Sequence, residues 1–80
     1  KYQLSARAEE HYLALSKEIR KSTRKKFETL TVDIRYPSLR AKKYDEATGL
    51  WQGRINKEWR FYFLILQDTY YIVSIRKHPK

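Results

Sequence analysis

Hydrophobic positions recur at helical spacing near the start of the chain. Ala8, Tyr12 and Leu15 lie three or four residues apart, which predicts the buried face of a helix that covers residues 6 to about 15. Ser5 directly precedes this segment, and serine is a preferred N-cap because its hydroxyl accepts a hydrogen bond from a free backbone N–H. We therefore expect the first helix to begin immediately after Ser5.

A second helix is predicted after Ser16, which is another N-cap candidate. Its apolar stripe is narrow and consists of Ile19, Thr23, Phe27 and Leu30. Because the link between the helices is so short, we expect them to form an antiparallel hairpin. The outward faces of the second helix carry Arg20, Lys21, Arg24, Lys25 and Lys26. Such a run is usually a solvated helix face, and a docking surface for phosphates or for an acidic partner is the alternative.

The pattern becomes strand-like in the second half of the chain. Pro37 is predicted to end the helical part. Segments rich in β-branched and aromatic residues then predict two consecutive hairpins. Strands are expected at residues 2–4, 39–44, 50–56, 59–66 and 70–77. The prediction is one α+β domain over residues 1–80, in which a helical hairpin packs on an antiparallel β-meander.

The lengths of the hairpin loops decide which side chains share a face of the sheet. With three residues in each loop, Arg54 lies opposite Arg60, and Arg60 lies opposite Arg76. Alternation then places six polar or aromatic residues on one face: Arg54, Arg60, Tyr62, Ser74, Arg76 and His78. The other face is predicted to be apolar and to receive the helices: Trp51, Ile55, Trp59, Phe61, Phe63, Ile65, Tyr71, Val73 and Ile75. A two-residue loop in the second hairpin would reverse the faces of the last strand.

The charge of the chain points to a polyanionic partner. Eighteen Lys and Arg residues face nine Asp and Glu residues, which gives a net charge of +9. Such an excess attracts nucleic acid or an acidic protein segment. No apolar run approaches the roughly 20 residues that a membrane-spanning helix needs, no signal-peptide pattern opens the chain, and cysteine is absent. We therefore expect a cytoplasmic protein without a membrane partner, disulfides or a cysteine-based zinc site.

The predicted row of arginines suggests an anion site. Arg54 opposite Arg60 is a like-charge pair, which destabilises a strand pair unless something compensates. A bound phosphate would compensate, since guanidinium groups bind phosphate in bidentate fashion. Further phosphate contacts are expected from the basic residues of the preceding strand and from the neighbouring face of the sheet: Arg40, Lys42, Lys43, Tyr62 and Arg76.

RNA cleavage without a metal ion is one chemistry that such a site allows. The chain has two histidines, no pair of carboxylates suited to two metal ions and only two glycines, so we expect neither a metal nor another cofactor. The 2′-OH of RNA can attack the adjacent phosphorus if the protein supplies an acid, a base and positive charge. His78 is the candidate for proton transfer, because histidine changes its charge near neutral pH.

The chain resembles the RelE/ParE superfamily of bacterial and archaeal toxins. The resemblance is carried by the segments LRAKKYDEATGLWQGRINKEWRFYFLI, YYIVSI and HPK, and within them by a WxxRI…WRFYF core with a C-terminal histidine. The N-terminal helical hairpin is compatible with it, so it spans nearly the whole chain. It implies a RelE-like fold and the toxin of a type II toxin–antitoxin pair.

The resemblance also implies an activity and its residues. RelE-like members cut mRNA in the ribosomal A site without metal, by 2′-OH attack that leaves a 2′,3′-cyclic phosphate, and so inhibit translation. The active-site arginines and histidine of the YoeB kind correspond to Arg54, Arg60 and His78. The lysines and last-strand arginine that RelE uses correspond more loosely to Lys42, Lys43 and Arg76.

Two positions depart from the YoeB pattern. The catalytic glutamate of that kind has no counterpart at the same spacing, and Glu46 is the nearest carboxylate. Pro79 replaces an aromatic residue that often accompanies the terminal histidine. The resemblance therefore leaves the general base unassigned.

The expected partners are a cognate antitoxin, the ribosome and mRNA. Two other functions stay open at this point. ParE-like members of the superfamily poison DNA gyrase and do not need the nuclease residues. A non-catalytic basic module that binds RNA or only its antitoxin is the third reading, and it predicts salt-dependent binding without cleavage.

Overall fold

A computed structural model of the chain describes residues 1–79. These residues form two α-helices, a 3₁₀ turn and five strands: β1 (Tyr2–Leu4), α1 (Ala6–Leu13), α2 (Lys17–Val32), the 3₁₀ turn (Pro37–Leu39), β2 (Lys42–Asp45), β3 (Leu50–Arg54), β4 (Trp59–Leu66) and β5 (Thr69–Lys77). The predicted α+β class is confirmed. Neither helix in this range is long and apolar enough to span a bilayer.

The five strands form one sheet in the order β1-β5-β4-β3-β2. β2 to β5 pair antiparallel with their neighbours in the chain, which confirms the predicted meander. β1 adds to its edge in parallel with β5, with Tyr2 opposite Tyr70 and Leu4 opposite Ile72. The sheet is therefore mixed, because this pair is parallel and the other pairs are antiparallel.

Both predicted serine caps begin the helices. The Ser5 hydroxyl accepts a hydrogen bond from the backbone N–H of Ala8 at 3.0 Å, and the Ser16 hydroxyl accepts one from Ile19 at 3.3 Å. The helix ends differ from the prediction. α1 ends at Leu13, and α2 ends at Val32, several residues before Pro37, which starts the 3₁₀ turn instead.

The core lies between the helices and the apolar face of the sheet. Phe27 of α2 contacts Phe61 of β4 edge to face at 5.2 Å between ring centroids, and Phe61 stacks on Phe63 at 5.5 Å. All three phenylalanines are almost fully buried. The predicted helical positions that are buried with them are Ala8, Leu15, Thr23 and Leu30. Burial of these aromatic rings packs α2 against β4 on one face of the sheet and leaves the opposite face to the arginines.

The second hairpin has a shorter loop than predicted. Leu66 pairs with Thr69, so only two residues form the turn, and the prediction of a three-residue loop is wrong. A β-bulge at Val73 then shifts the pairing by one residue. Beyond the bulge Arg60 lies opposite Arg76, as predicted. The two changes cancel, so the last part of β5 keeps the predicted face.

Between the turn and the bulge, the predicted faces of β5 are reversed. Ile72 is fully buried opposite Phe63, whereas Tyr71 and Val73, which were predicted to belong to the apolar face, are only half-buried. Ile65 was also predicted to be apolar core and is 43% exposed near the end of β4. The two-residue turn explains the first difference, since a shift of one residue exchanges the faces of a strand.

α1 covers the edge of β5 where β1 ends. The Ser5 backbone N–H donates to the Ile72 carbonyl at 2.9 Å, and the Ser5 hydroxyl donates to the Val73 carbonyl at 2.9 Å. Nδ1 of His11 accepts a hydrogen bond from the Ile75 backbone N–H at 3.1 Å. These contacts satisfy edge groups of β5 that no strand reaches.

Candidate active site

The loop between β3 and β4 is organised by one asparagine. The side-chain oxygen of Asn56 accepts hydrogen bonds from the backbone N–H groups of Glu58 at 2.8 Å and Trp59 at 2.9 Å. This Asx-type turn leaves the backbone carbonyl of Asn56 free to accept other donors. The loop therefore presents a fixed acceptor beside the two arginines that flank it.

The two flanking arginines share that carbonyl. Arg54 lies opposite Arg60 in the sheet, as predicted. Nε of Arg54 donates to the Asn56 carbonyl at 3.2 Å, and Nη1 of Arg60 donates to the same oxygen at 2.6 Å. The Asn56 carbonyl therefore supplies part of the compensation that this like-charge pair needs, and the bound phosphate expected from the sequence stays a prediction. The contacts also fix the direction in which both guanidinium groups point.

A cavity of about 340 Å³ lies over this end of the sheet. We call it the first cavity, and its lining residues are Arg40, Lys42, Gln52, Arg54, Arg60 and His78. It contains no carboxylate, and the single ion pair within residues 1–79 joins Asp33 to Arg35, away from this lining. The first cavity is thus a concave surface with four permanent positive charges and no anionic partner from the described chain.

The pKa shifts reflect this accumulation of positive charge. Burial lowers the pKa of the Arg60 guanidinium, and the charges of Arg54 and Arg40 lower it further. Burial also lowers the pKa of Lys26 on α2, with the charge of Arg54 as the second cause. Lys26, predicted only as one of several outward charges of its helix, therefore contributes positive potential near Arg54. A bound anion would reduce the repulsion among these groups.

His78 is held beside the arginines by its own backbone. β5 pairs with β4 as far as Lys77 opposite Trp59. The His78 backbone N–H then donates to the carbonyl of Glu58, in the loop, at 2.6 Å. This hydrogen bond fixes the start of the C-terminal segment above the arginine pair. His78 is the one lining residue of the first cavity whose side-chain type gains and loses a proton near neutral pH.

The basic residues before β3 divide between the two faces. Arg40 was predicted to lie in a strand, and this is wrong. It follows the 3₁₀ turn and has a left-handed backbone with a φ of 46°. It nevertheless lines the first cavity together with Lys42, the first residue of β2. Lys43 points to the other face, where its Nζ lies 5.2 Å from the centroid of the Trp51 ring. Lys43 is therefore the predicted phosphate contact that the structure separates from the rest.

A second cavity of about 290 Å³ adjoins the first. It is lined by Tyr44, Gln52, Tyr62, Arg76, Lys77, His78 and Pro79, and it shares Gln52 and His78 with the first cavity. Arg76 lies with its guanidinium carbon 5.1 Å from the centroid of the Tyr62 ring. Burial raises the pKa of the Tyr62 hydroxyl, and the neighbouring Tyr44 raises it further. The predicted residues Tyr62 and Arg76 thus belong to the second cavity.

Sequence reasoning missed Gln52 and Tyr44. Gln52 lies two residues before Arg54 on the same strand, so alternation alone places it on the same face. Tyr44 was counted as part of a strand without a role, although it lies two residues after Lys42. Glu46, the nearest carboxylate to the predicted site, is exposed and lines neither cavity.

Within residues 1–79 no group of three or more His, Cys, Asp or Glu side chains lies close enough to hold a metal ion. The arrangement can therefore supply positive charge from arginine and lysine, and proton transfer from histidine. Neither cavity contains a carboxylate that could act as a base. Positive charge and proton transfer are what phosphate binding and 2′-OH attack on an RNA phosphodiester require.

Solved toxin structures share this fold. A YoeB/ParE toxin from Agrobacterium tumefaciens superimposes with a TM-score of 0.81 at 13% identity, covering 99% of both chains. The YoeB–YefM toxin–antitoxin complex from Staphylococcus aureus gives 0.79 at 19% identity, covering 99% of this chain and 97% of the other. The isolated RelE toxin from E. coli gives 0.77 at 13% identity, covering 99% and 84%. The chain has the RelE/ParE toxin fold.

The structural matches have no counterpart in the comparisons of whole sequences. No protein-family profile matches the chain, and the comparison with curated proteins finds no significant match. At these identities a shared fold does not carry a shared activity. The function therefore depends on the residues that line the two cavities.

Proposed function

We propose that the protein is the toxin of a type II toxin–antitoxin pair and that it cleaves mRNA on the ribosome without a metal ion. The observation that carries this proposal is the convergence of Arg54, Arg60 and His78 in one cavity that no carboxylate of the described chain neutralises. The shared fold of the YoeB and RelE toxins supports the toxin role.

The proposed reaction is an internal transfer at phosphorus. The 2′-OH attacks the adjacent phosphorus, a bond from the 2′-oxygen to phosphorus forms, and the bond to the 5′-oxygen of the next nucleotide breaks. The 2′-OH proton leaves to a base, and the 5′-oxygen receives a proton from an acid. Arg54 and Arg60 stabilise the charge that develops on the phosphoryl oxygens. His78 transfers one of the two protons, and Lys42 adds positive charge.

The availability of donors on Arg54 supports its role at phosphate. Only Nε of Arg54 is used by the Asn56 carbonyl, and its two terminal nitrogens have no hydrogen-bond partner within residues 1–79. Nη1 of Arg60 donates to the carbonyl of Asn56 in the loop and to the carbonyl of Trp59, the first residue of β4. Arg60 therefore both holds the loop and contributes charge, whereas Arg54 has its terminal nitrogens free to bind a phosphate in bidentate fashion.

We propose an antitoxin with an acidic segment as the protein partner. The net charge of +9 favours such a partner. The S. aureus YoeB structure is a complex with the antitoxin YefM, and the E. coli RelE fold is also known in a complex with RelB. A segment that covers the first cavity would neutralise the toxin by excluding the phosphate.

The test is cleavage of mRNA on programmed ribosomes by the parent and by His78→Gln. Loss of an acid or base reduces a rate by about 10²–10⁴-fold, and Arg54→Lys is expected to lose about 10²-fold as a charge-conserving change that removes the fork. Arg7→Lys on α1 is the matched control and should cleave like the parent, since Arg7 lines neither cavity.

A supercoiling assay with DNA gyrase runs beside the cleavage assay. Unchanged cleavage by His78→Gln would refute the role of His78. Inhibition of gyrase without mRNA cleavage would replace the proposed function with that of a gyrase poison, and RNA binding without either activity would leave a non-catalytic module.

The pH dependence of cleavage by the parent distinguishes the two possible roles of His78. A rate that falls as the pH rises indicates that His78 is the acid, and a rate that falls as the pH drops indicates that His78 is the base.

A further inference from the structure

The second cavity carries chemistry that the proposed phosphate transfer does not use. Tyr44 lies on β2, the edge strand, and its side chain is 57% exposed although it lines a cavity. An exposed aromatic ring beside positive charges is a typical stacking platform for a nucleobase. The proposed reaction at phosphorus assigns no role to the Tyr44 ring.

The Tyr44 ring is held in place by its neighbours. It contacts Tyr62 edge to face, with 5.0 Å between centroids and an interplanar angle of 66°. Tyr62 is 5% exposed and is itself covered by the Arg76 guanidinium at 5.1 Å. A platform that is already ordered loses little side-chain entropy when a ligand stacks on it. Tyr62 is therefore the buried and fixed member of this pair, and the Tyr44 ring is open to solvent.

The two cavities are also contiguous. Gln52 and His78 line both of them, so RNA whose phosphate occupies the first cavity can extend directly into the second. Arg76 and Lys77 add positive charge along the same path. The polar side chain of Gln52 lines both cavities, and its amide can donate to a base or to the ribose.

We propose that Tyr44 stacks on the base of a nucleotide next to the scissile phosphate, and that the second cavity is a base-binding subsite of the proposed mRNA endonuclease. This inference rests on the proposed function. It assigns binding and positioning to Tyr44, Tyr62 and Arg76, and leaves the chemistry to the first cavity.

The experiment is a cycle that combines a protein change with an RNA change. Single-turnover kcat/KM is measured on ribosomes programmed with mRNA in which either nucleotide that flanks the cleaved bond is intact or abasic. Stacking of one base corresponds to a factor of about 5- to 150-fold. We expect the parent to lose this factor when one of the two bases is removed, and Tyr44→Ala to show a residual difference of less than about threefold at the same position.

Two variants control the cycle. Tyr44→Phe keeps the ring and should keep the base dependence of the parent. Tyr36→Ala removes a tyrosine of similar exposure, 54% against 57%, that lines neither cavity, and should also keep it. If the parent cleaves but Tyr44→Ala retains the full base dependence, the subsite is wrong and the proposed function stands. If the parent cleaves no mRNA at all, the proposed function is refuted and the inference falls with it.

Discussion

Replacing Gly53 with alanine tests whether the side chains beneath the candidate site are packed as tightly as the structure indicates. It lies on β3 between Gln52 and Arg54, opposite Phe61 of β4. A Cβ atom added at Gly53 would lie 2.6 and 2.8 Å from Cε1 and Cε2 of the Phe61 ring, and closer still to Cζ. The ring therefore lies directly against the glycine backbone, in space that any other residue would fill.

Phe61 has no room to move away. It is fully buried and contacts the rings of Phe27 and Phe63, with centroid distances of 5.2 and 5.5 Å. Overpacking of a filled core costs about 1–3 kcal/mol. Replacing glycine also restricts the unfolded chain, which offsets about 0.4–1 kcal/mol. Gly53→Ala is therefore expected to lower the free energy of unfolding by about 1–2 kcal/mol.

Urea unfolding followed by tryptophan fluorescence and circular dichroism measures this change. The melting temperature should also fall, by roughly 4–8 °C for each kcal/mol in a domain of this size. Phe61→Leu provides the decisive comparison, because a smaller side chain makes room for the new methyl group. The double variant should lose less stability than the sum of the two single variants.

Gly49→Ala is the matched control at the other glycine. Its Cβ would meet nothing within 4 Å, but its φ is +76°, so the cost there is backbone strain, which Phe61→Leu cannot relieve. A Gly53→Ala variant as stable as the parent, or one whose loss simply adds to that of Phe61→Leu, would refute the argument that the ring occupies this space.

Three further predictions concern stability. Ser74→Ala should leave stability unchanged or raise it by up to about 1 kcal/mol, because the Ser74 hydroxyl is buried without a hydrogen-bond partner in the described chain; a lower urea midpoint would contradict this. His11→Ala removes the acceptor of the Ile75 N–H, so that amide should exchange with solvent faster and stability should fall by about 1 kcal/mol; unchanged exchange would show that the contact is not needed. Burial raises the pKa of Tyr62 above that of an unfolded tyrosine, so the unfolded phenol ionises first and stability falls as the pH rises through about 10. Tyr62→Phe should lose less stability over that alkaline range, and parallel curves for the two proteins would speak against the shift.

The fold was largely predictable because its local signals agree with one another. Ser5 and Ser16 cap the helices, as serine at these positions predicts. The loop at Asn56 has the length that places Arg54 opposite Arg60. The parallel pairing of β1 with β5 has no local signal. It depends on where the chain's first strand meets the last one, which spacing alone does not determine.

The register of the second hairpin shows how a wrong local prediction can give a correct distant one. The turn after Leu66 is one residue shorter than predicted, and the bulge at Val73 restores the register before Arg76. A bulge leaves little trace in hydrophobic alternation. The reversed segment between turn and bulge, with Ile72 buried, is the part that the pattern could not supply.

The candidate site was predictable where strand alternation governs it. Alternation places Arg54 on the same face as Gln52 and sends Lys43 to the face opposite Lys42. The left-handed backbone of Arg40 instead depends on the path of the chain before β2. That path follows from the 3₁₀ turn at Pro37, which was predicted only to end a helix.

The chemistry of the cut ends tests the central claim most directly. Programmed ribosomes carry an mRNA that is either all-ribose or 2′-deoxy at the nucleotide 5′ to the cleaved bond, and the products are analysed by mass spectrometry. If the cavity of Arg54, Arg60 and His78 promotes 2′-OH attack, the all-ribose mRNA gives a 2′,3′-cyclic phosphate end and the 2′-deoxy mRNA stays intact. Cleavage of the 2′-deoxy mRNA, or a product that ends in a 3′-hydroxyl, would contradict the account.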